Sequence, residues 1–260
     1  MKTVIFCGGK GTRLREETEF RPKPMVPIGA EPILWHIMKV YAFHGFRDFV
    51  LCLGYKGEKI KDYFLNYHRN SGDITLRLGA SPATEYHDRH DEEDWTVTLA
   101  ETGEETSTCT RLRRIERHLG SDAEFLLTYG DGVGNIPVPQ VIEEHRRSGK
   151  LITVTAVHPP GRFGDLALGP DGAVRGFDEK PQTEGGWING GFFVVSRKIF
   201  RHLEKYPDVM FERGPLQDLA KNGQLHAYRH EGFWQPMDTL VEYQYLNRVW
   251  AEGRAPWKLW

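Results

Sequence analysis

The chain begins with a short β-branched and apolar run, Thr3 to Cys7, that leads directly into Gly8-Gly9-Lys10-Gly11-Thr12-Arg13-Leu14. A run of this kind reads as a buried strand. Glycines placed directly after it let the backbone turn sharply and approach a phosphate closely. No other feature constrains the fold as much, because a parallel sheet places its ligand crevice at the carboxyl ends of such strands. Two familiar phosphate loops are excluded. A P-loop needs Gly-Lys-Ser/Thr after a four-residue gap, which is missing. The dinucleotide fingerprint counted from Gly9 needs glycine where Leu14 stands. Two readings stay open: a plain glycine turn between strand and helix, or a phosphate cradle that also carries Lys10 and Arg13.

The pattern continues along the chain. Ile33 to His44 carries apolar residues at helical spacing (Ile33, Ile37, Val40, Tyr41), and Phe49 to Leu53 predicts a second strand closed by Gly54. Ile60 to Tyr67 predicts a helix, Ile74 to Leu78 and Thr96 to Leu99 predict strands, and Leu112 to Leu119 another helix. Glu124 to Tyr129 is a third buried strand, ended by Gly130-Asp131-Gly132. Val138 to Arg147 predicts a helix; Ile152 to Val157 and Phe192 to Val195 predict further strands. Strands alternating with helices imply an α/β fold with a doubly wound, mostly parallel sheet. The later part is richer in strands and Gly-Pro turns, as a smaller extension would be. Residues 1–260 are read as one domain, with a nucleotide-binding core over about 1–157 and the extension and C-terminal helix over about 158–260. Residues 80–94 are the most polar stretch and read as a solvated loop, with a flap or a subunit contact as alternatives.

A formal net charge of -2 gives no global field to attract nucleic acid or an anionic membrane, so any phosphate binding must come from a local cluster. The apolar runs are too short to span a bilayer, and Met1 to Cys7 lacks the apolar core and cleavage site of a signal peptide. Cys7, Cys52 and Cys109 are odd in number and widely spaced, and make neither a disulfide framework nor a zinc pattern. A cytoplasmic location is expected.

A second cationic feature is Arg21-Pro22-Lys23-Pro24. Pro24 biases Lys23 toward extended backbone and Pro22 fixes its own φ, so the lysine is presented from a stiff segment. It reads as a triphosphate contact or as an ordinary basic surface loop. Asp131 follows a buried strand, where its carboxylate would face the crevice; a hairpin turn is the competing use of Asp-Gly. Asp238 precedes Thr239 and Glu242, a capping box for a final helix, so it is either a ligand or an acid placed near a helix N-terminus.

Gly-Gly-x-Gly-Thr-Arg-Leu followed by Lys-Pro-Met resembles the sugar-1-phosphate nucleotidyltransferases. That resemblance implies a Rossmann-like doubly wound, mostly parallel α/β sheet with a smaller strand-rich extension on the sugar side. It implies Mg2+ as cofactor, held by Asp131 and Asp238, which match Tyr-Gly-Asp and Trp-x-x-x-Asp. It makes Arg13 and Lys23 the catalytic cations. It carries substrate contacts onto Phe6, Cys7, Gly8, Gly9, Lys10, Gly11, Thr12, Thr106, Arg111, Thr128 and Gly130. In Glu179-Lys180-Pro181 it puts Glu179 on sugar hydroxyls and Lys180 on the sugar phosphate; Asn189 and Gly190 would lie against the sugar, where a β-bulge is the plain alternative.

Several blocks look like the cytidylyltransferase branch, among them Glu16-Glu17-Thr18, Pro159-Pro160-Gly161-Arg162-Phe163-Gly164 and Phe233-Trp234-Gln235-Pro236-Met237-Asp238. The implied substrates are CTP and glucose 1-phosphate, and the implied assembly is a homo-oligomer, a hexamer. The sequence departs from the branch at Cys109-Thr110, where a glycine pair is common, and at Cys7, where alanine is usual. The rivals are a thymidylyl- or uridylyltransferase, a nicotinamide-dependent oxidoreductase, and a non-catalytic regulatory homologue.

Overall fold

A computed structural model describes residues 1–9, 11, 14–87, 94–159, 165–168, 170, 173–178 and 186–260. Its centre is a seven-stranded sheet. The strands are β1 (Thr3–Phe6), β2 (Asp48–Leu53), β3 (Thr96–Glu101), β4 (Glu124–Tyr129), β5 (Ile152–Val157), β6 (Ile188–Ser196) and β7 (Leu225–His230). They lie in the order β3-β2-β1-β4-β6-β5-β7. All run parallel except β6, which is antiparallel to both β4 and β5. The α/β, doubly wound, mostly parallel architecture expected from the sequence is the one found.

Alternate residues of each strand face opposite sides. Ile5, Leu51, Leu126 and Val194 join one core, with α1 (Ile33–Phe43), α3 (Val138–Ser148) and α6 (Leu240–Ala251) packed over it. Val4, Val50, Leu127 and Phe193 join the other, covered by α2 (Thr108–Arg114), α4 (Ile199–Leu203) and α5 (Pro215–Lys221). Burial on both faces is why β1, β2 and β4 are nearly continuous apolar runs. The strand order reverses at β1, which has β2 on one side and β4 on the other, so the crevice belongs at the carboxyl ends of β1 and β4.

Several elements differ from the sequence reading. Ala83–Tyr86, inside the stretch read as a solvated loop, is a strand paired antiparallel with Ile74–Arg77. Its side chains are exposed, so burial left no apolar pattern in the sequence to mark it. Helix α2 begins at Thr108 rather than Leu112 and passes into a 3-10 turn at Glu116–His118. Cys109 is fully buried and supplies the first position of the apolar stripe that Leu112 and Ile115 continue. The boundary near residue 157 falls within the sheet itself, since β6 and β7 lie beyond it and β6 sits between β4 and β5. All three cysteines are buried and free. No helix among the described residues is long and apolar enough to cross a membrane.

The tryptophan-rich tail packs on the chain's own core. Trp257 is fully buried, with ring centroids 5.7 Å from Phe233 and 6.1 Å from His36. His36 is itself fully buried on α1, with Nε2 2.9 Å from the Ile28 carbonyl oxygen. Trp257 Nε1 donates to His36 Nδ1 at 3.4 Å, so the neutral Nε2–H tautomer satisfies both contacts. Burial holds the His36 pKa down at about 4, although hydrogen bonds to backbone oppose the shift. The unfolded chain takes up this proton near pH 6.5 and the folded chain refuses it until about pH 4. Stability from this group is therefore complete above pH 6.5 and is lost as the pH falls from there toward 4, by about 3 kcal/mol at most. Urea unfolding of His36→Gln should fall less steeply over that window than wild type; coincident slopes would rule out His36 as a source of acid sensitivity.

Candidate active site

The loops after β1 and β4 enclose a cavity of about 300 Å³ whose lining includes Phe6, Gly9, Gly11 and Gly130. Gly130 N donates to the Phe6 carbonyl at 3.1 Å, and a Cβ at Gly130 would lie 2.9 Å from that oxygen and from Pro24 Cγ. Only glycine lets the end of β4 close against both the end of β1 and the Lys23-Pro24 segment.

Lys23 departs from the extended backbone that Pro24 favours in the residue before it. Lys23–Met25 forms a 3-10 turn, closed by Met25 N to Pro22 O at 2.8 Å and Val26 N to Lys23 O at 3.0 Å. In the first turn Pro24 gives up no needed N–H, so the turn's hydrogen bonds outweigh the bias of the preceding residue. The turn aims Lys23 inward. Its side chain is 9% exposed, and Nζ donates to Asp131 Oδ2 at 2.7 Å and to Asp238 Oδ1.

The two aspartates meet because Gly132–Gly134 pairs antiparallel with Trp234–Pro236, and Met237 N donates to the Asp131 carbonyl at 2.8 Å. The expected capping box is present: Glu242 N donates to Thr239 Oγ1 at 3.3 Å and Thr239 N to Glu242 Oε2 at 2.8 Å. Glu242 Oε2 also accepts from Asp238 N at 2.7 Å. The same helix start therefore caps α6 and fixes the backbone that carries Asp238.

Burial pulls the Lys23 pKa down, but the Asp131 charge and hydrogen bonds to both carboxylates more than offset it, leaving it above the ordinary lysine value. The two carboxylates converge on one point, with a cation already seated between them. That donor set suits Mg2+, which takes one or two carboxylates and completes its shell with phosphate and water. Among the described residues no group of three or more His, Cys, Asp or Glu is gathered for a metal.

Arg111 is 4% exposed and lies beneath the glycine loop. Nη1 donates to Leu53 O (2.9 Å), Thr102 Oγ1 (2.9 Å) and Gly103 O (2.7 Å), and Nη2 to Gly8 O (3.3 Å) and Glu104 O (3.1 Å). A Cβ at Gly8 would lie 2.3 Å from the guanidinium carbon, and one at Gly54 2.4 Å from Nη1. Arg111 thus joins three loops at the crevice.

Thr106 Oγ1 donates to Thr102 O at 2.6 Å, within one of those loops. Thr128 is buried in β4. Cys7 is fully buried, and burial followed by the Cys52 charge pushes its thiol well above the usual value, so it is no nucleophile. Asn189 Nδ2 donates to Tyr129 Oη at 3.4 Å, and the Gly190 carbonyl accepts from Trp234 Nε1 at 2.7 Å. Lys10, Thr12, Arg13, Glu179 and Lys180 lie outside the described residues. The cavity is also lined by Thr108, Tyr129 and Met210, which the sequence reading did not select. Tyr129 could have been found, since it directly precedes Gly130-Asp131; Met210 lies in a loop with no motif.

A family model described as nucleotidyl transferase matches residues 2–239. A glucose-1-phosphate cytidylyltransferase of Salmonella typhi is 48% identical over 260 residues, covering 100% of both chains. A probable glucose-1-phosphate cytidylyltransferase of Bacillus subtilis is 46% identical over the same full length. Among solved structures, HddC from Yersinia pseudotuberculosis shares the fold, with a TM-score of 0.68 at 22% identity over 96% of this chain and 99% of that one. The chain belongs to the nucleotidyl transferase family.

Proposed function

We propose that this chain transfers a cytidylyl group from CTP to α-D-glucose 1-phosphate, giving CDP-glucose and pyrophosphate. The observation that carries the chemistry is the convergence of Asp131 and Asp238 on the buried Lys23 ammonium at the cavity wall. The choice of base and sugar rests on full-length similarity to glucose-1-phosphate cytidylyltransferases.

In the proposed reaction a phosphate oxygen of the sugar phosphate attacks the α-phosphorus of CTP in line. A new P–O bond forms as the bond to the bridging oxygen breaks, and pyrophosphate leaves with that electron pair. A phosphomonoester loses its second proton near pH ~6, so the nucleophile needs no strong base. Catalysis is then positioning plus stabilisation of charge. Asp131 and Asp238 would hold Mg2+, which when bound neutralises charge on the triphosphate. Lys23, with Arg13 on the glycine loop, balances charge on the triphosphate and the departing pyrophosphate. Gly8, Gly9 and Gly11 bring backbone N–H groups close to the phosphates. Lys180 holds the attacking phosphate, and Glu179 and Asn189 address the hexose.

The test is pyrophosphate release from CTP, UTP, dTTP and ATP in turn, with glucose 1-phosphate and Mg2+, and with EDTA as control. Release with CTP alone, abolished by EDTA, is expected. Release with another nucleotide would overturn the base assignment, and no release with any of the four would reject glucose 1-phosphate as the acceptor.

A further inference from the structure

Glu212 has no part in the chemistry described so far, yet its carboxylate joins two walls of the active-site cavity. Tyr129 Oη donates to Glu212 Oε1, and Thr108 Oγ1 donates to Glu212 Oε2 at 3.1 Å. Both hydroxyl residues line the cavity, Tyr129 from the end of β4 and Thr108 from the first turn of α2. Glu212 itself lies on the loop between α4 and α5. That loop is pinned to α2 by Phe211 N donating to Thr108 Oγ1 at 2.7 Å and Cys109 N donating to Val209 O at 3.3 Å.

The donors and acceptors all run in one direction. Asn189 Nδ2 donates to Tyr129 Oη at 3.4 Å, and Tyr129 Oη in turn donates a hydrogen bond to Glu212. On the other side Phe211 N donates to Thr108, which donates to the same carboxylate. An ionised carboxylate only accepts, so it can end both chains and set the direction of each hydroxyl. Asn189 Oδ1 accepts from Gly191 N at 2.8 Å, so its amide is held at both ends and presents one face. Burial, and then the Glu212 charge, raise the Tyr129 pKa, which keeps the phenol protonated as a donor.

We propose that Glu212 is a positioning residue for the sugar side of the reaction: through Tyr129 it fixes the Asn189 amide against the hexose of the sugar phosphate. This rests on the cytidylyltransferase reading above. It requires an effect on one substrate and not the other, which a general loss of structure would not give.

The experiment measures KM for glucose 1-phosphate and for CTP separately in wild type, Glu212→Ala, Glu212→Gln, Tyr129→Phe and the Glu212→Ala/Tyr129→Phe pair. Glu212→Ala and Tyr129→Phe should each raise KM for glucose 1-phosphate about tenfold, with KM for CTP within about twofold of wild type. Glu212→Gln keeps an acceptor oxygen and nearly the same shape, and should recover part of the loss. The paired variant should be no worse than the worse single one, because both changes cut the same chain. Equal rises in both KM values, additive losses, or an unchanged KM for glucose 1-phosphate in Glu212→Ala would overturn the proposal. A wild-type enzyme without turnover on CTP and glucose 1-phosphate would instead reject the assigned reaction; should it use another nucleotide or hexose phosphate, the same split is read on those.

Discussion

Lys23→Ala should lower kcat by about 100- to 1,000-fold while the enzyme stays folded. The size follows from removing one fixed, buried charge from a site where, in the proposed reaction, negative charge builds up on phosphate oxygens. The fold should tolerate the change because Asp131 and Asp238 are 38% and 18% exposed, so water can solvate what the ammonium leaves behind. A second readout separates this from simple damage. In the structure the Lys23 ammonium is the counter-ion of both carboxylates. Without it one positive charge is taken from between the two carboxylates, and Mn2+ or Mg2+ should bind more tightly to nucleotide-free Lys23→Ala than to wild type in a calorimetric titration. A slower enzyme with a stronger metal site is not what partial unfolding produces. Near-normal turnover would remove Lys23 from the chemistry, and unchanged metal affinity would remove it as the resting counter-ion.

Much of this site can be read from the chain because its parts sit on local signals. The β1 run and its glycines, the Gly130-Asp131-Gly132 break after β4, and the Thr239/Glu242 box before α6 each carry a short-range signature, and each lies where that signature puts it. What the sequence hides is pairing over distance. Lys23 reads as a cation offered to a phosphate, yet its resting partners are 108 and 215 residues away. No periodicity encodes such a contact. Strand β7 escapes for a different reason: it lies at the edge of the sheet, five of its six residues are half-buried or exposed, and Leu225 to His230 lacks the continuous apolar run of β4. Glu212 looks like any loop carboxylate until the α4–α5 loop is placed on α2. The family resemblance makes Arg111 a substrate contact, and only its surroundings reveal that its nitrogens point into the protein's own carbonyls.

That placement makes Arg111 the position where geometry and charge can be separated. If Arg111 served only as a positive charge near the nucleotide, Arg111→Lys would keep most of its effect. The structure asks for more, since one planar guanidinium reaches Leu53, Gly103, Glu104 and Gly8 carbonyls together, and an ammonium has no such fork. Arg111→Lys should therefore behave almost like Arg111→Met. Both should leave the buried Gly8 carbonyl without its donor, lose about 1 to 3 kcal/mol of stability in urea, and raise KM for CTP at least about tenfold as the glycine loop loses its support. Gly8→Ala approaches the same defect from the other side, because its methyl group would lie 2.3 Å from the guanidinium carbon and force one of them to move. It should share the CTP phenotype while KM for glucose 1-phosphate changes little, the opposite split to that expected of Glu212→Ala. An Arg111→Lys enzyme with wild-type KM for CTP and wild-type urea stability would mean that charge alone is what this position supplies.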